Sequence, residues 1–513
     1  MEGCRVQERL MELPDGDGDS QQQNSPKRRC GGKRFVELPA REQRQLMPAS
    51  LEEMVEPDDP VRAVAEVMAA VDMSRFEEAY RGGGRPAYPP RVVCSVLVYA
   101  YMLGITSARQ IAVALKTDVR MMYLAHGLRI DHRTLSLFRR RHAEALEDLF
   151  RQVVRIGIKV GVVRMSHVGI DGTKIAARAG RRVYGAEELE GMMERIKEEI
   201  RQYMEESRRV DEQEDERYGE SSGYQLPEEL RDRQRLREKI AEAKEELEEG
   251  EQKAVSVSEP EARVQKIGRE KRPGYNCQVA VDIDSGMIVS QAVVVDQSDN
   301  GRLGEMMECI ERDSGQAAEV VTADGGYESK ESIEAAERWA ARVEVYIGRG
   351  SGGRRTEGWG REKFGYDERR DQWVCPAGRV LVRMGDKELG GKRYAYYRAQ
   401  VSCRDCRHTK QCMGGTKKSR YRGLLVSGHG REVEKMRTKA ASEAGREAMK
   451  RHWGTVERVI GQIKCVLGLR RFRLWGLAGA KVEFTLACIA ANIRQMAGWL
   501  MGDGSVKLAE GMG

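Results

Sequence analysis

The sequence lacks an uninterrupted apolar run of about twenty residues, the length that a membrane-spanning helix needs. Residues 1–34 are polar and charged, so they lack the apolar region of a secretory signal. The 11 cysteines are odd in number and scattered, unlike the disulfide framework of a small secreted protein. We therefore expect a soluble, intracellular protein whose cysteines are reduced thiols or metal ligands.

Acidic side chains are concentrated in one segment of an otherwise basic chain. Residues 186–250 hold 23 acidic and 12 basic side chains, so the remainder carries a formal charge of +18, against +7 for the whole chain. A basic surface of this kind suits a polyanionic partner, because lysine and arginine that neutralise phosphates release condensed counterions. A charge that serves solubility alone is the alternative at this point.

The chain of 513 residues is too long for one ordinary core, and its composition changes several times along its length. The N-terminal tail shows no hydrophobic periodicity and is predicted to be disordered. The acidic stretch has apolar residues at helical spacing, which predicts a charged helical hairpin inserted in another domain. The predicted segments are a disordered tail (1–45), a helical domain (46–158), a first core part (159–185), an acidic helical insertion (186–262), a second core part (263–348), a Gly-, Arg- and Cys-rich insertion (349–440), a third core part (441–502) and a flexible tail (503–513).

A basic helix is predicted near the end of the helical domain. Its start is indicated by Asp131-His132-Arg133-Thr134, in which Asp131 or Thr134 would be the cap. Two short helices followed by a basic helix suit a helix-turn-helix-like DNA-binding domain. A helical docking domain with a solvated basic face is the alternative. The candidate DNA contacts are Arg133, Arg139, Arg140 and Arg141.

Two aspartates follow short segments that have the composition of buried strands. The segment 160–170 ends at Asp171-Gly172, and 318–323 ends at Asp324-Gly325. Strand-end carboxylates of an α/β sheet converge at one edge, where hard oxygen ligands suit Mg²⁺. Taken singly, either aspartate is more simply interpreted as a cap or turn residue.

A third carboxylate is predicted on a late helix. Glu457 stands beside an apolar stripe that begins at Val456, and Lys464 follows on the same side of the helix two turns later. Three carboxylates of this kind suit phosphoryl transfer through two divalent metal ions. Lys464 would then face a phosphate beside the metal site. A surface glutamate with a snorkelling lysine is the alternative.

The order of these motifs resembles that of the insertion-sequence transposases of the Asp-Asp-Glu (DDE) type. The resemblance rests on Ile170-Asp171-Gly172-Thr173-Lys174, on Thr322-Ala323-Asp324-Gly325-Gly326-Tyr327, and on Val456-Glu457 with Gly461-Gln462-Ile463-Lys464. In the N-terminal region, Gly84-Arg85-Pro86, Gly104-Ile105-Thr106 and Asp131-His132-Arg133-Thr134 resemble the branch with a helical N-terminal domain and a cysteine-bearing insertion. The similar region covers roughly residues 35–500.

This resemblance implies an α/β fold, namely a ribonuclease-H-like mixed sheet with an N-terminal all-α domain, a helical-hairpin insertion and a small cysteine-rich insertion. It implies that Asp171, Asp324 and Glu457 hold Mg²⁺ or Mn²⁺ and catalyse cleavage at the element ends and strand transfer to target DNA. The expected partners are double-stranded DNA, as terminal inverted repeats and as target, and a second copy of the chain on that DNA. No membrane partner is expected, and the implied location is the bacterial cytoplasm, associated with the nucleoid.

The sequence departs from the family pattern near the third carboxylate. Relatives carry a tyrosine and an arginine ahead of the glutamate, whereas residues 449–453 here contain no tyrosine, and Arg451 is the side chain that we expect to hold a phosphate. Gly325 stands where relatives often have lysine or arginine. A catalytically reduced, transposase-derived DNA-binding regulator is therefore the alternative, and a stand-alone nuclease of the same fold is a third hypothesis.

Four cysteines cluster in the insertion that follows the second core part. Cys403, Cys406 and Cys412 have the spacing C-x₂-C-x₅-C, and Cys375 precedes them in a hairpin-like context. Four thiolates can close a tetrahedral Zn²⁺ site, with His408 as a substitute ligand, and a segment with so little aliphatic core needs such a staple. Reduced thiols without metal are the alternative.

Overall fold

The structure is a computed structural model in which residues 50–502 belong to one compact unit, Ser50–Gly513. The predicted tails, 1–45 and 503–513, lie outside the described residues. The described residues are 50–80, 86–218, 228–249, 252–348, 359–367, 369–389, 392–413, 420–427 and 430–502.

The N-terminal region is helical, as predicted. Its helices are α1 (Pro60–Ala69), α2 (Ser74–Glu77), α3 (Pro90–Met102), α4 (Ala108–Thr117), α5 (Val119–Leu124), α6 (His132–Arg141) and α7 (Ala143–Lys159). The predicted cap of α6 is confirmed, because the Asp131 carboxylate accepts the backbone N–H groups of Arg133 at 2.8 Å and Thr134 at 3.0 Å. Helix α3 is buried along nearly its whole length and forms the centre of this region.

A mixed sheet follows, and the order of its strands places the two predicted aspartates side by side. Strand β1 runs antiparallel to β3 and parallel to β5, β5 is parallel to β6, and β2 and β4 both pair with β3. The elements in chain order are β1 (His167–Ala176), α8 (Ala186–Tyr218), α9 (Glu228–Glu249), β2 (Val264–Ile267), β3 (Glu270–Asp282), β4 (Ile288–Val294), α10 (Leu303–Ser314), β5 (Val320–Ala323), α11 (Lys330–Trp339) and β6 (Glu344–Ile347).

Strand β1 begins later than the sequence predicts. The predicted strand started at Val160, but Gly161 and Met165 have φ values of 77° and 58°. These left-handed conformations are incompatible with an extended strand, so residues 160–166 form a turn between α7 and β1. Strand β2, at the edge beside β3, was missed because it is only four residues long. A turn at Gly286, with φ 75°, joins β3 to β4.

The acidic helices α8 and α9 pack on each other through a small separate core. This core contains Leu189, Ile196, Ile240, Ala243 and Leu247, and it continues into Val255 and Val257. Two backbone hydrogen bonds between Tyr184 and Val255, at 2.8 and 3.0 Å, close the base of this pair of helices. The chain therefore enters and leaves this pair of helices at the same point.

The cysteine-bearing segment contains a second, antiparallel sheet that the sequence analysis did not predict. Its strands are β7 (Gly365–Asp367), β8 (Gln372–Val374), β9 (Val380–Leu389), β10 (Lys392–Ala399) and β11 (Gly423–Ser427), with the short helix α12 (Thr409–Met413) before β11. The strands pair in chain order, as a meander. Trp373, Leu381, Tyr397 and Leu424 form a core of their own beneath this sheet.

The chain ends in three helices that return to both earlier regions. They are α13 (Gly430–Ala440), α14 (Glu443–Gly461) and α15 (Gly476–Gly502), and a π-helical turn, Gln462–Val466, extends α14. By length and composition, α15 could cross a membrane, but 72% of its most apolar window is buried inside the protein. It packs against α1, α3, α7 and β4, so it serves as a core helix.

A buried ion pair joins the helical region to α15. The Arg139 guanidinium lies 3.6 Å from the Glu483 carboxylate, and these side chains are 3% and 0% exposed. Arg139 also donates to the Tyr101 hydroxyl and the Thr106 carbonyl, each at 3.0 Å. The expectation that Arg139 contacts DNA does not fit this placement, because its guanidinium is buried and pairs with the Glu483 carboxylate.

We predict that Arg139→Met lowers the free energy of unfolding by about 3–5 kcal/mol, because it leaves the Glu483 carboxylate buried without its partner. The matched control is Arg140→Met at the exposed next position, which should change stability by less than about 0.5 kcal/mol. Denaturant unfolding measures both. Wild-type stability of Arg139→Met together with a loss of DNA affinity would support the original expectation instead.

Candidate functional site

Asp171 and Asp324 lie next to each other where the parallel strands β1 and β5 separate. The last paired residues of these strands are Ile170 and Ala323, so each aspartate is the first residue beyond the pairing. Strand β1 itself continues to Ala176 through its pairing with β3, which places Asp171 in the middle of a strand and not at its end. The two carboxylates thus share one edge of the parallel pair.

The electrostatics of the two aspartates confirm that they are close. The pKa of Asp171 is raised to about 7, mainly by burial and secondly by the negative charge of the neighbouring Asp324 carboxylate. Burial also raises the pKa of Asp324, and the Gly326 N–H, at 2.9 Å, opposes this by donating to its carboxylate. Half-buried carboxylates whose pKa values are raised by burial and by neighbouring carboxylates are typical of sites that bind a cation or a proton.

A third aspartate, Asp299, belongs to this cluster and was missed by the sequence analysis. Its carboxylate accepts from Lys174 at 3.0 Å and from the amide groups of Asn276 and Gln278, each at 2.7 Å. A Cβ atom built on Gly172 would lie 2.3 Å from Asp299 Oδ1, so a glycine is required directly after Asp171. Gly172 therefore makes room for the side chains of Asp299 and Gln278.

One signal in the sequence could have revealed this cluster. Asn276 and Gln278 alternate with Tyr275, Cys277 and Val279 in the second half of β3, which is otherwise apolar from 275 to 281. Polar residues at every second position of a buried strand indicate a polar face inside the protein. Asp299 itself lies in a loop, among polar residues, and carries no comparable signal.

Helix α14 docks on the face of β1 that carries Asp171. A Cβ atom on Gly169 would lie 2.6 Å from Val456 Cγ2 and 2.8 Å from His452 Nδ1, so the helix rests directly on the strand backbone. The Thr322 hydroxyl lies 3.0 Å from both His452 Nδ1 and His167 Nε2. This buried chain of hydrogen bonds joins β1, β5 and α14 immediately before the two aspartates.

The docked helix brings Lys464 to the aspartates but leaves Glu457 at the surface. The Lys464 ammonium is half-buried, and burial lowers its pKa while Asp171 opposes that change. Glu457 is exposed one residue after the buried Val456. Within the described residues, no three His, Cys, Asp or Glu side chains are close enough together to hold a metal ion.

Family comparisons match both ends of this chain. Residues 49–141 match the Transposase domain (DUF772), and residues 374–497 match the Transposase DDE domain, which includes Glu457. The chain belongs to the insertion-sequence DDE transposases. No curated protein and no solved structure matches this transposase.

The basic residues predicted to contact DNA are not gathered at the carboxylates of the transposase. Arg451 forms an ion pair with Asp284, in the turn between β3 and β4, and is 43% exposed. On α6, Arg133, Arg140 and Arg141 are exposed, and Arg141 lies 5.0 Å from the ring centre of Tyr80. Arg451 therefore lies near the start of β1, because its partner Asp284 also bonds to Ser166.

The four clustered cysteines of the transposase line one small cavity, together with His408. The Cys375 sulfur accepts the Arg379 N–H at 3.3 Å, and the Cys403 sulfur accepts the Arg422 N–H at 3.4 Å. Burial raises the pKa of Cys412, and the nearby thiols of Cys403, Cys375 and Cys406 add to the increase. The cysteines are free thiols in the described residues, and they are not drawn together into a closed metal site.

We predict that Gly169→Ala reduces both stability and DNA cleavage, because its methyl group would push α14 away from β1. Overpacking of this kind typically costs about 1–3 kcal/mol in the free energy of unfolding. The matched control is Gly454→Ala in α14, because a Cβ atom at Gly454 would have no neighbouring atom within 4 Å. It should stabilise the helix by up to about 1 kcal/mol. Equal effects of the two substitutions in denaturant unfolding would contradict the close docking of α14.

Proposed function

We propose that this transposase cleaves DNA at the ends of its element and transfers the freed 3′-hydroxyl groups to target DNA, using divalent cations. The observation that carries the proposal is the placement of Asp171 and Asp324 at one edge of the parallel strands, with the helix of Glu457 docked on the same face of β1. Mg²⁺ and Mn²⁺ suit these hard oxygen ligands.

The sheet supports a ribonuclease-H-like assignment for this catalytic core. Four antiparallel strands, β1 to β4, come first in the chain, with β1 between β3 and β5 in the sheet, and the last two strands are parallel to β1 and follow helices. Crossover helices α10 and α11 bring β5 and β6 back in the same direction. We propose that the acidic helices and the cysteine-bearing sheet are insertions in this core.

The chemistry of the donor set fits divalent cations. Asp171 and Asp324 are half-buried carboxylates whose pKa values are raised by burial and by neighbouring carboxylates, so a cation bound there would relieve both effects. When bound, two divalent cations supply activation of the attacking oxygen and stabilisation of the leaving 3′-oxygen. Glu457 completes the donor set by turning its exposed side chain towards this edge.

The remaining side chains orient the substrate. Lys464 provides a positive charge beside Asp171 and would hold a non-bridging phosphate oxygen. Asp299 holds Lys174 at 3.0 Å and so fixes a second ammonium group near Asp171 and Asp324. We propose that Arg133, Arg140 and Arg141 on α6 contact the DNA ends, and that two copies act together because transposition joins two ends.

The transposase would work on chromosomal DNA in the cytoplasm, associated with the nucleoid, in a bacterial host. A regulator without catalysis is not favoured, because the sequence retains all three carboxylates of the DDE motif. Ahead of Glu457, where no tyrosine stands, His452 is buried and lies 3.0 Å from the Thr322 hydroxyl.

We predict that the wild-type protein nicks a duplex carrying the element end in Mg²⁺ or Mn²⁺. Asp171→Asn, Asp324→Asn and Glu457→Gln should each reduce the rate by at least about a hundredfold, because each removes a charge that holds the cations. A gel assay of strand cleavage and joining measures this rate. Glu447→Gln on the same helix, at a side chain that is 63% exposed, is the control and should keep wild-type activity. Undiminished cleavage by all three carboxamide variants would refute the proposal.

We further propose that Cys375, Cys403, Cys406 and Cys412 hold a structural Zn²⁺ ion. The support is their shared cavity and the two backbone N–H groups directed at Cys375 and Cys403. Zinc would lower the pKa of each thiol and draw the four sulfurs together, which a small sheet with a short core needs. His408 lines the same cavity and remains the substitute ligand.

We predict that the purified protein contains about one zinc ion per chain, as measured by elemental analysis. Cys406→Ser should lower the zinc content severalfold and reduce the melting temperature. Cys465→Ser, an exposed thiol outside the cavity, is the matched control and should keep the zinc. Equal zinc content in the two variants, or a wild-type protein that folds without zinc, would refute the zinc site.

A further inference from the structure

An open cleft lies beside the acidic cluster, on a surface that neither the DDE carboxylates nor the basic helix α6 uses. One wall is the hairpin of β2 and β3. The second wall is the segment 252–254 at the base of the acidic helices, and the third is the loop 296–302 that follows β4. The cleft thus lies where the central sheet, the acidic helices and this loop meet.

The lining of the cleft is strongly basic. Its one carboxylate, Asp296, is shared between Arg263, at 3.4 Å, and Arg302, so its charge is already neutralised. The charged side chains of the lining are Lys253, Arg263, Lys266, Lys271, Arg302 and Asp296. Five positive charges against one negative charge create a field that attracts a polyanion.

Two of these lysines lie so close together that the repulsion between their charges destabilises the hairpin. Lys266 and Lys271 are directly opposite each other in the pairing of β2 with β3, and both are exposed. Like charges at directly opposite positions of an antiparallel pair are destabilising. Within the described part of the chain, neither ammonium group has a carboxylate at ion-pairing distance. A phosphate group bound between the two ammonium groups would remove the repulsion between them.

The loop 296–302 connects the cleft to the acidic cluster. Ser298 and Asn300 line the cleft, whereas Asp299 between them faces the other way and binds Lys174 at 3.0 Å. One short loop therefore has a basic cleft on one side and the proposed catalytic edge on the other. A DNA strand held in the cleft would pass within one loop's width of Asp171 and Asp324.

We infer that this cleft holds the phosphate backbone of duplex DNA and leads it to the acidic cluster, an inference that rests on the proposed function. The lining offers ammonium and guanidinium groups to phosphates, so it adds affinity without base specificity. Sequence recognition would come from other surfaces, such as α6.

The test compares the double variant Lys266→Gln/Lys271→Gln with the control Lys159→Gln/Lys239→Gln, two exposed lysines outside the cleft. Affinity for an end-containing duplex and for an unrelated duplex is measured by fluorescence anisotropy in EDTA at several salt concentrations. Each phosphate contact contributes about 0.9 to the slope of log K against log salt. We expect the cleft variant to lower this slope by about 1.8 on both duplexes, and the control to leave it unchanged.

Two further measurements separate binding from folding. Lys271→Glu places opposite charges across β2 and β3, so its melting temperature should equal or exceed that of the wild type while its DNA affinity falls. In lysine footprinting with an acylating reagent, DNA should protect Lys253, Lys266 and Lys271 and leave Lys239 reactive.

The outcomes distinguish this inference from the proposed function. Unchanged slope and unprotected lysines, in a protein that cleaves DNA, would overturn the cleft and leave the catalytic proposal standing. A reduced slope in a protein that never cleaves DNA with Mg²⁺ or Mn²⁺ would support the cleft and overturn the catalytic proposal. A wild-type protein that binds no duplex at all would overturn both.

Discussion

The docking of α14 on the central sheet is the interaction on which the proposed site depends. Burial lowers the pKa values of His167 and His452 to about 4, so both imidazoles are neutral near pH 7 and each has one donor and one acceptor nitrogen. The Thr322 hydroxyl lies between them, 3.0 Å from a nitrogen of each ring, and can donate to one ring while it accepts from the other. Hydrogen bonds are directional, so this chain fixes the position of α14 along β1 and β5 in a way that apolar packing alone does not.

The same arrangement explains why the acidic cluster is stable before any cation binds. Asp171 is held partly protonated near pH 7 by burial and by Asp324, while Asp299 is neutralised by the ammonium group of Lys174 at 3.0 Å. The Asn276 and Gln278 amides donate to the same carboxylate, so its remaining acceptor sites are satisfied. A proton and a lysine therefore hold the charge balance that divalent cations would supply during the reaction.

The sequence predicted the elements whose signal is local and missed those whose signal is not. The Asp131 cap and the helices of the N-terminal region depend on neighbouring residues, and the structure confirms them. Asp299 and the burial of Arg139 depend on partners far away in the chain, which no spacing rule supplies. A run of basic residues predicts a basic face, but it does not tell which member faces the core. The meander from β7 to β11 was missed because its apolar residues are few and lie among glycines and arginines.

The placement of charge gives the two proposed DNA-binding surfaces, α6 and the cleft, different roles. The exposed arginines of α6 share that helix with Arg139, whose ion pair with Glu483 of α15 fixes the helix to the core. Rigid helices are suited to reading base edges, where a small error in position loses the contact. The lysines of the β2–β3 hairpin are flexible point charges, which suit phosphates in any sequence. Since Asp299 stands in the loop that borders this cleft, a phosphate backbone drawn into it would act directly on the loop that holds Lys174 beside Asp171 and Asp324.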